Sequence, residues 1–149
     1  MDREALRSRQ RPLKDQYRGE PTSALVTLRA EGALGDGVAC SVDTGRALVE
    51  AGLHPGTGGD GTLACSGDML LQSLVACAGV TLRAVATNRG IAVSGTVRAE
   101  GDLDFRGTLG VDGDVLVGFS AIRLIFDIDS DATSEELGEI IAATEKYCV

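Results

Sequence analysis

The sequence predicts a single α+β domain, and three patterns support this prediction. Short runs that alternate between apolar and polar residues indicate β-strands. One long run is apolar on nearly every side and indicates a buried helix, and a second predicted helix near the C-terminus has one apolar stripe. The length, 149 residues, is usual for one domain. Antiparallel strands covered by helices on one side define the α+β class.

The segment before the long apolar run predicts a β-hairpin and a loop. Residues 24–30 alternate as in a half-buried strand, and the glycine-rich residues 32–37 predict a turn into a second strand at 38–42. A short strand is predicted at 46–50. The glycine and proline content of residues 54–61 then indicates a loop.

The long apolar run predicts a central helix over about residues 67–88. Ser66 can cap its first turn, where Asp68 suits the positive end of the helix dipole. Gly90 is free to adopt the left-handed conformation that ends a helix. Because apolar residues surround this helix, we expect it to be buried.

Three further strands and an amphipathic helix are predicted after the central helix. The strands cover residues 91–100, 103–109 and 115–128. Residues 133–136, TSEE, match the capping box that begins a helix. The apolar stripe of this last helix consists of Leu137, Ile140, Ile141, Thr144 and Cys148.

Composition excludes several classes of function. A formal net charge of −8 argues against nucleic acid as the main partner. An N-terminal arm, residues 1–22, is net basic and precedes the domain at 23–149; the arm could be solvated or could dock on its own domain or on a second subunit. No apolar leader follows the basic residues, which predicts a cytoplasmic protein. Gln72 and Arg83 within the apolar run favour a buried helix over a membrane span.

No cofactor or metal is predicted. His54 is the only histidine, and the four cysteines lack the paired short spacings of a zinc site. Residues 56–61 match a G-x-G-x-x-G pattern, but no helix follows at once as dinucleotide binding requires. Cysteine chemistry remains, with Cys40 and Cys65 interpreted chiefly as inert small hydrophobic residues.

The sequence around Cys77 resembles the OsmC and organic hydroperoxide resistance superfamily. Residues 64–77, ACSGDMLLQSLVAC, resemble its central-helix motif, in which the reactive cysteine closes an Ala-Cys pair. The similarity extends to further short segments: HP at 54–55, GG at 58–59, DFRG at 104–107, GF at 118–119, IRL at 122–124 and EKYC at 145–148. Relatives continue past the second cysteine into another strand, whereas this sequence stops at Val149, and we expect that strand to be either truncated or missing.

The resemblance implies an intertwined homodimer that reduces organic hydroperoxides. Cys77 would attack the peroxide and become a sulfenic acid, Cys148 would resolve it as a disulfide, and a dithiol such as a lipoyl group would reduce that disulfide. One alternative is a non-catalytic dimer that binds an apolar ligand or a partner. Another is an acidic stress-response module that binds through its basic arm.

Cys77 also needs a group that stabilises its thiolate. The thiolate is the nucleophile, apolar burial raises a thiol pKa, and the helix dipole fades before it reaches Cys77. We therefore expect a nearby cation. Relatives use an arginine and a glutamate, and the supporting residues predicted here are Asp68, which is offset from the expected glutamate, and Arg29, with Arg18 as the other candidate arginine.

Overall fold

The computed structural model describes residues 2–8, 10–11, 20, 31–34, 40–43, 48–109 and 112–149. The chain forms two compact units, each built from several segments. Unit 1 comprises Met1–Leu28, Val75–Arg98 and Ile125–Val149, and unit 2 comprises Arg29–Leu74 and Ala99–Leu124. The mixture of sheets and helices confirms the predicted α+β class.

Unit 2 contains a four-stranded sheet in the order β1-β2-β3-β4. Its strands are β1 (Glu31–Leu34), β2 (Cys40–Asp43), β3 (Leu48–Gly52) and β4 (Ala64–Cys65). β1, β2 and β3 pair antiparallel, whereas β4 runs parallel to β3. The connection from β3 to β4 contains a turn of 3₁₀-helix at Pro55–Thr57.

The predicted hairpin is present, but the turn expected at 32–37 was placed too early in the chain. Residues 32–34, expected in the turn, belong to β1 and pair with residues 40–42. Backbone pairing with β2 outweighs the low strand propensity of Gly32. The strand expected at 24–30 lies outside the described residues.

Among the described residues, two α-helices precede residue 90. Residues 3–8 and 10–11 form α1, where the Asp2 carboxylate accepts the Ala5 backbone N–H at 2.8 Å and caps the first turn. The long helix α2 spans Ser66–Arg89, close to its predicted bounds. It ends at Gly90, whose φ of 77° confirms the left-handed cap, and the Ile91 N–H returns to the Ala86 carbonyl at 3.0 Å.

Only part of α2 is buried within a single chain. Ala78, Leu82 and Ala86 are buried, whereas Leu70 and Val80 are 53% and 72% exposed. The prediction of a helix covered on all sides is therefore wrong for the single chain. In the described part of the chain, α2 alone has the length and apolar composition of a membrane span, a property that it shares with core helices of folded domains.

A long two-stranded ribbon follows α2. It consists of β5 (Ser94–Leu103) and β6 (Phe119–Asp129). Within unit 1 the Ser94 hydroxyl contacts the Asp129 carbonyl, and within unit 2 the Ser120 hydroxyl donates to the Asp102 carbonyl at 3.1 Å. The start of β5 thus lies beside the end of β6, as in an antiparallel pair.

The strand expected at 103–109 is wrong, because Phe105–Thr108 form a single helical turn, α3. The Phe105 ring stacks on His54 with 4.9 Å between ring centroids. A Cβ on Gly107 would lie 2.7 Å from the Val115 carbonyl oxygen, so only glycine permits this approach of the two backbones. These tertiary contacts override the alternating pattern of the sequence.

The core lies in unit 1, between α2, β5, β6 and the last helix, α4 (Ser134–Tyr147). The predicted capping box is confirmed: Thr133 accepts the Glu136 N–H, and the Glu136 carboxylate accepts the Thr133 N–H at 2.8 Å. The buried apolar cluster consists of Leu82, Ala86, Val93 and Ile140. The Arg83 guanidinium donates to the Val93 carbonyl at 2.6 Å and ties α2 to β5.

Candidate functional site

The structure brings the two predicted site cysteines together. Cys77 lies on α2, and Cys148 is the C-cap of α4, where its N–H donates to the Thr144 carbonyl at 2.9 Å. The Sγ atoms of Cys77 and Cys148 are 3.2 Å apart, with Cys148 as donor. Both thiols are free and half-buried, and both belong to unit 1. A modest approach, on the order of 1 Å, would bring them to disulfide distance.

Hydrogen bonding makes the two thiols unequal. The Cys148 thiol and then the Val149 backbone N–H donate to Cys77 and lower its pKa; burial opposes this shift, and the Thr81 hydroxyl adds to it. The hydrogen bond to Cys77, burial and the negative charge of the Cys77 thiolate all raise the pKa of Cys148. Of the two thiols, Cys77 therefore loses its proton more readily, which makes it the better nucleophile.

The other predicted site residues lie in unit 2 or outside the described residues. Asp68 is exposed in the first turn of α2 and belongs to unit 2. Arg29 and Arg18 lie outside the described residues. Cys65 is a free, half-buried thiol of β4 in unit 2, and for Cys40 the structure describes only the backbone pairing of β2.

Sequence reasoning missed two of the groups that contact Cys77. Thr81 lies four residues after Cys77 on α2, and this spacing is the signal that could have found it, since such residues share a helix face. The Val149 contact uses a backbone N–H, which no side-chain pattern reveals. The groups that lower the pKa of Cys77 are uncharged hydrogen-bond donors, and the nearby cation stays a prediction because both candidate arginines lie outside the described residues.

An open cleft of about 670 Å³ lies in unit 1. Thr81 contributes to its lining from α2, Tyr147 from α4 and Gln10 from α1. Thr81 is one helical turn after Cys77 and Tyr147 precedes Cys148, but neither cysteine lines the cleft.

The N-terminal arm docks on its own chain through Arg7. Its Nε donates to Asn88 Oδ1 at 2.8 Å, and its Nη2 donates to the Asn88 carbonyl at 3.2 Å. That carbonyl is in the last turn of α2 and lacks an intrahelical partner, so the guanidinium satisfies it and complements the negative end of the helix. Among the described residues, no three His, Cys, Asp or Glu side chains cluster closely enough to hold a metal ion.

Residues 59–149 match the family model of the OsmC-like proteins, and this match spans more than half of the chain. The chain belongs to the OsmC-like family. The resemblance inferred from the central helix is thereby confirmed, and this OsmC-like protein is related to peroxidase-like stress proteins. A search of curated protein sequences gave no match.

Solved structures share its fold. An OsmC-like protein from Mycoplasma pneumoniae superimposes with a TM-score of 0.69 at 18% identity, with 83% of each chain covered. An OsmC-like protein of unknown function from Vibrio cholerae gives 0.60 at 13% identity, covering 83% of this chain and 90% of that one. The organic hydroperoxide resistance protein OhrB of Bacillus subtilis gives 0.54 at 19% identity, with coverages of 84% and 87%.

Proposed function

We propose that this OsmC-like protein is a thiol peroxidase that reduces organic hydroperoxides. The observation that supports this proposal most directly is the 3.2 Å distance between the sulfur atoms of Cys77 and Cys148. The lowered pKa of Cys77 and the raised pKa of Cys148 favour one direction of reaction, with Cys77 attacking and Cys148 resolving. The structural likeness to an organic hydroperoxide resistance protein agrees with this chemistry.

The proposed cycle has two steps on the protein. The Cys77 thiolate attacks the terminal peroxide oxygen, the O–O bond breaks, and the alkoxide leaves and takes up a proton to become an alcohol. Cys77 is now a sulfenic acid. The Cys148 sulfur then attacks the Cys77 sulfur, the S–O bond breaks, and the sulfenic oxygen leaves as water with the proton of Cys148. A disulfide remains, and an external dithiol of the lipoyl type reduces it by thiol–disulfide exchange.

The proposed function includes association of two copies of the chain into a homodimer. Large apolar side chains are exposed on the single chain, and apolar surface of this kind marks sites of association. A second copy that covers them would also bury more of α2, in line with the apolar character of that helix.

The test treats the fully reduced protein with one equivalent of cumene hydroperoxide and maps the disulfide by peptide mass spectrometry. We expect a bond between Cys77 and Cys148, its loss in Cys77→Ser, and accumulation of a dimedone-reactive sulfenic acid in Cys148→Ala. Cys65→Ser is the matched control, because Cys65 is also free and half-buried but belongs to unit 2, and it should react as the wild type does. A disulfide that uses Cys40 or Cys65 would contradict the assignment.

One observation favours a second candidate function, a non-catalytic protein that binds an apolar ligand. A pocket of about 500 Å³ in unit 1 lies among apolar side chains of α2, β5 and β6, including Leu82, Val97 and Ile128. Thiols that remain unmodified after long exposure to the hydroperoxide would favour this alternative, because ligand binding requires no reactive cysteine.

A further inference from the structure

The apolar pocket of unit 1 lies on the side of α2 that is turned away from the thiol pair. Val75 and Gly79 line it from α2, and they stand two positions before and two positions after Cys77. Because successive residues of an α-helix are about 100° apart, a shift of two positions leads to the opposite side of the helix. The pocket of about 500 Å³ is therefore separate from Cys77 and Cys148, neither of which lines it.

Gly79 leaves space in this pocket at a position where the helix itself favours a different residue. Glycine in a helix interior is less stable than alanine, and Gly79 lies in the middle of the 24-residue helix α2. A Cβ at Gly79 would meet no described atom within 4 Å beyond the backbone of its own helix, so packing within the chain does not require glycine here. The missing side chain is consequently space that a ligand can use.

Arg83 supplies the pocket with a positive charge. Its Nη1 donates to the Val93 carbonyl at 2.6 Å, and both residues of this hydrogen bond line the pocket. Within the part of the chain that the structure describes, no acceptor bonds to Nε or Nη2 and no carboxylate pairs with Arg83. Nε and Nη2 form one edge of the guanidinium, and such an edge binds the two oxygens of a carboxylate side by side.

The rest of the lining is chiefly apolar. It includes Val75, Leu82, Val93, Val97 and Ile128, from α2, β5 and β6. A volume of about 500 Å³ is within the range of small-molecule sites. An alkyl chain suits such walls, because it gains from burial and requires no hydrogen-bond partner. The carboxylate-binding edge and the apolar walls together match a fatty-acid anion.

We propose that this pocket binds a fatty-acid anion, with the carboxylate on Arg83 and the alkyl chain among the apolar side chains. The inference gives a ligand class to the pocket of the second candidate function. It is also compatible with the peroxidase, since the thiols are on the other side of α2. A fatty acid is a better occupant than a second copy of the chain, because the large apolar residues that a homodimer would cover belong mostly to unit 2.

The test titrates the reduced full-length protein with decanoate and with 1-decanol by isothermal titration calorimetry. Both probes have the same number of carbons, but only decanoate carries a charge. Decanoate should bind to one site per chain. Shortening its tail should weaken binding by roughly three- to fourfold for each methylene removed, because each methylene is buried among the apolar walls.

Two variants separate the head group from the tail. Arg83→Gln should weaken decanoate binding by roughly ten- to a hundredfold, the factor of one hydrogen bond to a charged group, and should leave 1-decanol binding unchanged. Gly79→Leu fills the pocket and should abolish binding of both probes. Circular dichroism shows whether each variant is folded.

Each variant has a matched control that should bind both probes as the wild type does. Arg98→Gln removes the charge of an exposed arginine in unit 1 that does not line the pocket. Gly138→Leu adds the same side chain to α4, where a Cβ would also meet no described atom within 4 Å beyond the backbone of its own helix.

Three outcomes would overturn the proposal. The first is a wild-type protein that does not bind decanoate. The second is decanoate binding that persists in Gly79→Leu, which would place the ligand elsewhere. The third is an equal loss in Arg83→Gln and Arg98→Gln, which would assign the effect to net charge. A second copy as the occupant would give the first outcome, together with a dimer that Gly79→Leu dissociates and Gly138→Leu does not.

Failure of the peroxidase proposal is a separate result. Decanoate and 1-decanol contain no peroxide bond, and neither cysteine lines the pocket. Absence of the disulfide after hydroperoxide treatment would therefore leave the calorimetric titrations unchanged.

Discussion

Unit 1 and unit 2 differ in how they bury their apolar side chains. The buried residues of the described chain all belong to unit 1: Ala78, Leu82, Ala86, Val93, Ile140 and Thr144. Most of the large hydrophobic residues that remain exposed belong to unit 2: Leu48, Leu53, Leu70, Leu103, Leu109, Leu116, Val117 and Ile122. Unit 1 therefore has a core of its own, whereas unit 2 presents apolar surface that an additional partner can cover.

This difference matters for the chemistry, because the thiol pair belongs to the unit that has the core. The distance between the two sulfur atoms depends on how α4 packs on α2, and Ile140 and Leu82 belong to the cluster that fixes this packing. The proposed homodimer would instead complete unit 2. Stability of the site and assembly of the protein can thus be changed separately by mutation.

The largest expected effect comes from opening the core of unit 1. Ile140→Ala removes a side chain with no exposed surface and should lower the free energy of unfolding by about 2–5 kcal/mol. Leu116→Ala in unit 2 should change it by no more than about 0.5 kcal/mol under monomeric conditions, because Leu116 is 80% exposed. Urea denaturation followed by circular dichroism measures both. Equal losses of unfolding free energy in the two variants would contradict the distinction between the two units.

A smaller effect, on assembly, should follow from charging the exposed apolar surface of unit 2. The double variant Leu116→Lys with Val117→Lys places two charges where a second copy would have to dehydrate them. The dissociation constant of the dimer should therefore rise by at least about tenfold. Sedimentation equilibrium reports the change.

The matched control for assembly adds the same charge to unit 1 through Ala92→Lys with Ala142→Lys, both at exposed positions. It should leave the association unchanged. Equal dissociation in both variants would assign the effect to net charge and not to the location of the interface.

The smallest effect is expected at the exposed ion pair on the β5–β6 ribbon. Arg123 donates to both oxygens of Asp102, with Nη2 at 2.8 Å from Oδ1, and this contact lowers the pKa of Asp102. Because folding lowers the pKa of Asp102, the ion pair adds to the free energy of unfolding at pH values above the unfolded-state pKa. This stabilisation is lost as the pH falls through the folded-state pKa. Arg123→Ala should lower the free energy of unfolding only slightly at neutral pH, because water screens this exposed pair, and not at all in strong acid. Urea denaturation at neutral and at acidic pH measures the free energy of unfolding of both proteins. A loss of stability that persists in acid would show that the Arg123 side chain contributes through packing and not through its charge.

The sequence predicted the parts of the fold that depend on local patterns. The bounds of α2, the left-handed Gly90 and the capping box at Thr133 follow from side chains near them in the chain. α3 could not be predicted in this way, because the Phe105 ring packs on His54, which is remote in sequence. Alternation within the strand predicted at 115–128 assigns Ile122 to one face but does not say whether anything covers that face, and Ile122 is 44% exposed.

The site was predictable to a similar extent. Resemblance to a known family selected Cys77 and Cys148, and the structure brings their sulfur atoms together. The need for a group that favours the thiolate was derived correctly from the physics of burial, but a cation was expected where the described residues supply hydrogen bonds. A backbone donor such as the Val149 N–H depends on how the chain end returns to α2, and composition carries no information about that path.

The location of Cys148 at the end of α4 has a consequence for how oxidation would be detected. Cys148 is the first residue past the helix and has extended torsion angles, φ −67° and ψ 126°. Rotation about the bonds of this one residue can supply a movement of roughly 1 Å while the amides of the helix keep their partners. Hydrogen–deuterium exchange of the reduced and oxidised forms should therefore be nearly identical along α4 and should differ at the backbone amides of Cys148 and Val149.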